Sequence, residues 1–229
     1  MTLPLNPAIA ATFTPPVMEA RRWLTETALP EGLPLLNLSQ AAPVDPPPAA
    51  MRAAMARAIE NDPGIHLYSP VLGNPELRAA LARRISALYG GTVTTEQVAL
   101  TSGCNQAFCA AVATLAGPGD EVILPKPWYF NHHMWLTMQG VKTVPLATGP
   151  DLLPTLDDCA ALITPRSKAI VLVTPNNPGG VEYPPALIRG FADLAARHGL
   201  ALILDETYRD FHSLDGAPHD LFADPGWDE

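Results

Sequence analysis

The sequence predicts an α/β fold: a doubly wound, mainly parallel sheet with helices on both faces. Three observations carry this. From residue 94 onward, strand-like and helix-like segments alternate. The strand segments are short and apolar throughout, as in Ala169-Ile170-Val171-Leu172-Val173, the pattern of strands buried on both faces. Finally, Ala201-Leu202-Ile203-Leu204 runs straight into Asp205-Glu206-Thr207-Tyr208. That order puts a carboxylate at the C-terminal end of a buried strand, where open α/β sheets bind ligands. Taken alone, Asp205 either caps the following turn or serves a ligand, and a buried charge there needs a partner.

The totals bound the answer. A chain of 229 residues, 48% hydrophobic and 16% charged, has enough apolar mass for one good-sized domain or slightly more. Its formal charge of −9 argues against nucleic acid and anionic membrane surfaces as partners. Cys104, Cys109 and Cys159 are an odd number without metal-type spacing, so no disulfide framework is expected. The first residues lack a basic region and an unbroken apolar core, and no apolar run reaches bilayer length. A soluble, cytoplasmic protein is expected. The 26 prolines fall where elements start or stop and read as punctuation.

In chain order, residues 17–28 form a helical candidate and residues 35–40 an extended one. Residues 1–45 together read as an N-terminal arm and part of a small domain, and residues 46–229 as part of a large one. The alanine-rich stretch 48–60 is a helix with Pro48 in its first turn. Asn74-Pro75 opens the next helix, in which Leu77, Leu81, Ile85 and Leu88 share a face until Gly90-Gly91 stops it. The alternation then begins. Residues 98–101, 121–124, 142–146, 169–173 and 201–204 read as strands. Helices are expected at 105–116, after the aromatic run Trp128-Tyr129-Phe130 as far as Met138, from Thr155 or Asp157 to Ile163, and over 185–198 with Gly199 as the stop.

Two loops carry further chemistry. Thr101-Ser102-Gly103-Cys104-Asn105-Gln106 joins a strand to a helix, where glycine admits close backbone approach and the helix start favours an anion. It lacks the spacing and the Lys-Ser/Thr of a P-loop. An ordinary βα turn reads the same way. Thr174-Pro175-Asn176-Asn177-Pro178-Gly179-Gly180 follows the strand 169–173 as a turn that presents an amide at that strand's C-terminal edge.

In this order, with Asp205 and Tyr208, the set resembles the class I/II pyridoxal-phosphate aminotransferases of fold type I from about Leu36 to the end. The resemblance implies pyridoxal 5'-phosphate as cofactor, amino acid and 2-oxo acid substrates, a role in amino-acid metabolism and a homodimer. By it, Asp205 would pair with the protonated ring nitrogen, which makes the cofactor an electron sink. Asn177 and Tyr208 would hydrogen-bond the ring's phenolic oxygen. Gly103, Cys104 and Asn105 would hold the phosphate. Tyr129, with Trp128 as the alternative, would stack on the ring. Tyr68, with Gly73 and Leu77-Arg78, resembles the segment that reaches the phosphate of the neighbouring subunit. Leu38-Ser39-Gln40-Ala41-Ala42-Pro43 resembles the segment lining the substrate side.

The chain also departs from that pattern. Gly179 stands where the family has Thr or Ser, which is expected to loosen the turn, and Ala41 stands where glycine is common. The family's Schiff-base lysine lies on a later strand, whereas Lys126, Lys142 and Lys168 all precede Tyr208. Lys126 is expected to point to solvent and the other two to flank strands. The resemblance is therefore to the N-terminal portion of an aminotransferase, without catalytic lysine. A non-catalytic ligand-binding or dimerising fragment is the alternative from another class, and a pyridoxal-phosphate lyase or decarboxylase the alternative on the same scaffold. His132-His133 sit on one helix but point to different faces, so no metal site is expected there. Ser102 has no evident His/Asp partner for a nucleophile's role.

Overall fold

The computed structural model describes residues 3–40, 42, 44–213 and 215–227. Contacts divide the chain into two units, Thr14–Asn74 on one hand and Pro75–Glu229 with Met1–Phe13 on the other. The chain opens on the single-turn helix α1 (Pro7–Ala10), capped by the Asn6 side chain. Helices α2 (Pro16–Glu26) and α3 (Ala49–Asn61) belong to Thr14–Asn74. Pro48 stands at the N-cap of α3, one position earlier than expected, because its extended ψ of 142° lies outside the helix. None of the described residues of this unit is buried. Met51, Met55 and Ile59, four residues apart on one face of α3, are each more than half exposed.

The larger unit continues with α4 (Pro75–Tyr89), α5 (Cys104–Leu115), β1 (Glu121–Lys126), α6 (Phe130–Met138), β2 (Lys142–Ala147), α7 (Leu156–Leu162), β3 (Ser167–Val173), α8 (Pro185–His198) and β4 (Ala201–Asp205). The four strands pair in parallel in the order β2-β1-β3-β4. Register explains how the apolar strands serve two faces. The row Val144, Ile123, Ile170 and Leu202 packs with Cys159 of α7 and with Ile188 and Phe191 of α8. The neighbouring row, with Val122, Ala169 and Ala201, packs with Phe108 and Val112 of α5 and Leu136 of α6. Helices therefore cover both faces, as the period-two alternation of a doubly wound sheet requires. α8 ends as expected at Gly199, left-handed at φ 64°.

Residues 98–101 correct the strand expectation. They follow a 3-10 turn, Thr95–Gln97, and enter no ladder among the described residues. Apolar β-branched sequence favours extension, but a strand also needs a neighbour. Here the polar backbone goes elsewhere: Arg78 donates from Nε to Val98 O at 2.7 Å and from Nη2 to Thr95 O at 2.6 Å. Val98 and Leu100 pack instead with Leu81, Ala82 and Ile85 of α4. The segment after β4 is tied to α4 by Tyr89 Oη, which donates to Glu206 Oε1 at 2.7 Å.

At the N-terminal end of the sheet, the buried Glu121 carboxylate accepts from Lys142 Nζ at 3.0 Å, Arg166 Nη2 at 2.9 Å and Thr164 Oγ1 at 2.6 Å. The Thr164 hydroxyl and the two cations push its pKa down to about 2.

Candidate cofactor site

A cleft of about 230 Å3 opens at the C-terminal ends of β3 and β4. That is just below the roughly 300–1,000 Å3 of drug-sized sites, a size for a one-ring molecule. Ser102, Gly103, Cys104 and Asn105 at the start of α5 line it, with Tyr129, Asn177, Asp205, Thr207 and Tyr208. Seven of the eight residues expected from sequence thus come together, although they are spread over a hundred positions. The parallel sheet does this, since each crossover returns the chain to the same edge.

Asp205 is the last residue of β4, and its two oxygens have different partners. Oδ1 accepts from Thr207 N at 3.0 Å and Thr207 Oγ1 at 2.7 Å. Oδ2 lies 3.1 Å from Nε2 of the buried His132. The capping reading of Asp205 is realised through Oδ1, while Oδ2 takes a protein partner, the buried His132. Burial pushes the carboxyl up, but the hydrogen bonds from His132 and Thr207 outweigh it and hold the group below its ordinary value. An ionised carboxylate has about four acceptor positions, so three donors leave room for one more.

His132 is the residue that sequence reasoning missed. It stacks on Phe108 with ring centroids 3.9 Å apart and meets Tyr129 edge-on at 5.2 Å. Its spacing was the available signal: three residues after Tyr129 and four before Leu136, it falls on the buried face of α6. His133 faces away, with Nδ1 2.8 Å from Thr143 Oγ1 and its ring stacked on Phe13.

On the opposite wall, Gly103 takes φ 87° and ψ 168°, a conformation that side chains resist. A Cβ there would meet nothing within 4 Å, so the space above the turn is open to a ligand. No side chain caps α5, which leaves its leading N–H groups available for an anion. Ser102 N donates to Gln106 Oε1 at 2.6 Å and Thr101 Oγ1 to Gly103 O at 2.9 Å, fixing the turn. Tyr129 Oη accepts from Asn131 Nδ2 at 2.7 Å. Trp128 is not among the cleft's lining and packs, partly buried, against the core cluster that holds Phe108 and Leu136.

In the loop after β3, Asn176 is buried and holds the turn, its Oδ1 accepting from Gly179 N at 2.8 Å, while Asn177 lines the cleft. A Cβ at Gly179 would approach Asn176 Oδ1 to 2.8 Å and Leu152 Cδ1 to 3.0 Å. The glycine permits this close approach, so it tightens the turn where a loosening was expected.

Tyr68 and Arg78 are not among the cleft's lining residues. Tyr68 belongs to Thr14–Asn74 and is fully exposed. Arg78 spends its guanidinium on the carbonyls already described. Ala41 and Pro43 lie outside the described residues. No lysine is among the cleft's lining. Lys142 and Lys168 stand near the N-terminal ends of their strands, paired with Glu121 and Asp120, and Lys126 is exposed at the end of β1.

The residues present fit a phosphorylated, cationic aromatic ring: a held carboxylate on the floor, an uncapped helix start on one wall, and aromatic and amide side chains between. A parallel sheet with a cleft at its C-terminal edge defines a ligand-binding α/β protein, and comparison with known proteins makes the class specific. The family model for aminotransferase class I and II matches residues 34–223. The aspartate/prephenate aminotransferase of Thermus thermophilus is 32% identical over 206 residues, 89% of this chain and 51% of that protein. An aromatic aminotransferase of Arabidopsis thaliana is 36% identical over 163 residues, 69% of this chain and 41% of that one. Among solved structures, aspartate aminotransferase from Thermus thermophilus with maleate superposes with a TM-score of 0.84 at 29% identity, covering 94% of this chain and 56% of that one. The chain belongs to the class I and II aminotransferase family. It spans about half the length of the curated relatives it matches.

Proposed function

We propose that the chain supplies the cofactor-binding half of an aminotransferase that moves an amino group between an amino acid and a 2-oxo acid through pyridoxal 5'-phosphate. The observation that carries this is the Asp205 carboxylate, kept ionised at the floor of a cleft whose other wall is an uncapped helix start. When bound, the cofactor supplies an electron sink for the electrons of a broken bond at the substrate's α-carbon. Asp205 would hold the proton on the ring nitrogen, and His132 and Thr207 would keep the carboxylate charged and aimed. Gly103, Cys104 and Asn105 would bind the phosphate through backbone N–H groups. Tyr129 would cover one face of the ring. Asn177 and Tyr208 would orient it through its phenolic oxygen. The site's catalytic lysine and the group that receives the substrate carboxylate would come from the part of the relatives that this chain does not span. A homodimer in the cytoplasm, with Tyr68 reaching the neighbouring subunit, completes the reading. The exposed apolar face of α3 and Tyr68 itself support it.

A second reading has its own observation. No lysine lines the cleft, which favours a non-catalytic, ligand-binding role for residues 1–229 by themselves. One experiment separates the two. The 229-residue chain and the complete protein are incubated with pyridoxal phosphate, reduced with borohydride and assayed on a panel of amino and 2-oxo acids. The proposal expects a reducible adduct and amino exchange from the complete protein alone, and Asp205→Ala should abolish exchange while leaving the far-ultraviolet dichroism unchanged. Unchanged exchange in that variant would refute the role of Asp205. An adduct without keto-acid exchange would point to a lyase or decarboxylase.

A further inference from the structure

Asn177 and Tyr208 stand on different loops, and beyond the hydrogen bond from Thr174 N to Asp205 O, at 3.0 Å, the sheet no longer joins them. Each loop is closed on itself. After β3, Asn176 N donates to Val181 O at 2.7 Å and Gly180 N to Asn176 O at 2.8 Å. After β4, the 3-10 turn Arg209–Phe211 is held by Phe211 N on Tyr208 O at 2.9 Å and His212 N on Arg209 O at 3.1 Å. Two small rigid turns therefore flank the cleft, and their separation needs a second tie.

Glu182 supplies it. One residue beyond the closure of the first turn, its Oε1 accepts from Ser213 N at 2.7 Å and its Oε2 from Ser213 Oγ at 2.6 Å. His212 Nδ1 lies 3.5 Å from Oε2. A two-oxygen grip on one residue fixes direction as well as distance, which a single hydrogen bond does not. The Glu182 side chain is 24% exposed and His212 almost fully buried, while Ser213 is exposed, so the grip closes over His212 and opens to water on the Ser213 side.

We propose that Glu182 is a positioning residue: its carboxylate bridges the two turns and sets the separation of Asn177 and Tyr208 across the cleft. The inference rests on the reading of the cleft as a pyridoxal phosphate site, in which those two side chains grip one ring oxygen. Glu182 is not among the cleft's lining residues and acts through the turns.

The test uses the complete protein as wild type, Glu182→Ala, Glu182→Gln and Ser213→Ala. Two quantities are read: the affinity and absorbance spectrum of added pyridoxal phosphate, and amide hydrogen exchange over residues 206–213. Glu182→Gln keeps an acceptor for Ser213 N and a donor for Ser213 Oγ, so it should stay within about 3-fold of wild type. Glu182→Ala should bind the cofactor on the order of 10-fold more weakly, shift its absorbance and speed exchange over 206–213; Ser213→Ala should fall between. Faster exchange in Glu182→Ala with unchanged affinity and spectrum would make the tie merely structural and overturn the proposal. So would an alanine variant equal to wild type in both. If wild type itself binds no pyridoxal phosphate, the reading of the cleft fails and takes this inference with it. That outcome is distinct from the other two.

Discussion

His132 shows how one buried side chain changes the chemistry of another. It fills the space between Phe108 and Asp205, and its Nε2 is one of three donors that keep the carboxylate charged against the cost of burial. His132→Phe preserves the stacking and removes the donor. It should cost about 1.5–3 kcal/mol in chemical denaturation, the usual loss for a hydrogen bond to a charged group. It should also weaken cofactor binding several-fold without abolishing it, because Thr207 still holds Oδ1. Unchanged binding, read by cofactor fluorescence, would reduce His132 to a packing residue. At the other end of the sheet, Glu121 is held by Lys142, Arg166 and Thr164 with its folded-state pKa lowered from 4.5 to about 2. A carboxyl depressed by folding stabilises fully above its unfolded value, and that contribution is lost as the pH falls through the folded one. The thermal midpoint should therefore drop between about pH 4.5 and about pH 2. Glu121→Gln should lower the midpoint near neutrality and flatten its fall in that window. A variant whose acid limb matches wild type would remove Glu121 from the account.

At the scale of elements, β4 is the anomaly. Its sequence is as apolar as β3, yet all five residues are only half-buried, and among the described residues it pairs with β3 alone. A strand with an open edge templates further pairing. The 229-residue chain by itself should therefore self-associate as concentration rises, as light scattering would show; a stable monodisperse preparation would contradict this. Helices such as α8 were legible to the residue, because Pro185 and Gly199 punctuate a clear apolar period. The strands β1 to β4 were legible from their apolar runs. Residues 98–101 read equally well as a strand and are not one, since composition reports a tendency to extend but not whether a neighbour is there to pair. In the cleft, Asp205 and Asn177 stood out in the sequence as polar residues after buried strands and Gly103 as a glycine before a helix, although each alone also reads as an ordinary turn. His132 did not, because beside His133 it reads only as half of a pair pointing to different faces, and its contact with Asp205 spans seventy-three positions. Glu182 did not, because its partner lies thirty-one positions away and pairs across loops leave no periodic trace.

For the whole molecule, the question is what covers Thr14–Asn74. Its helices carry apolar side chains at every turn, yet none of its described residues is buried. Met51, Met55 and Ile59 form a stripe along α3, and Tyr68 and Val71 stand almost free of contact. Contiguous apolar surface of this kind is costly in water and marks an interaction face. The proposed homodimer would bury it, with a second copy presenting the same stripe in the self-complementary manner of two-fold pairs. Placing a charge in the stripe then separates the possibilities. Met55→Glu puts a carboxylate where each copy would meet the other, so like charges face one another across a drying interface. The complete protein should sediment as a dimer, and the variant should shift towards monomer with its dissociation constant raised on the order of 10-fold or more, an effect equivalent to about 1.4 kcal/mol or above. Met55→Leu keeps the apolar area and should leave the dimer intact. A glutamate variant that remains fully dimeric would remove α3 from the subunit interface.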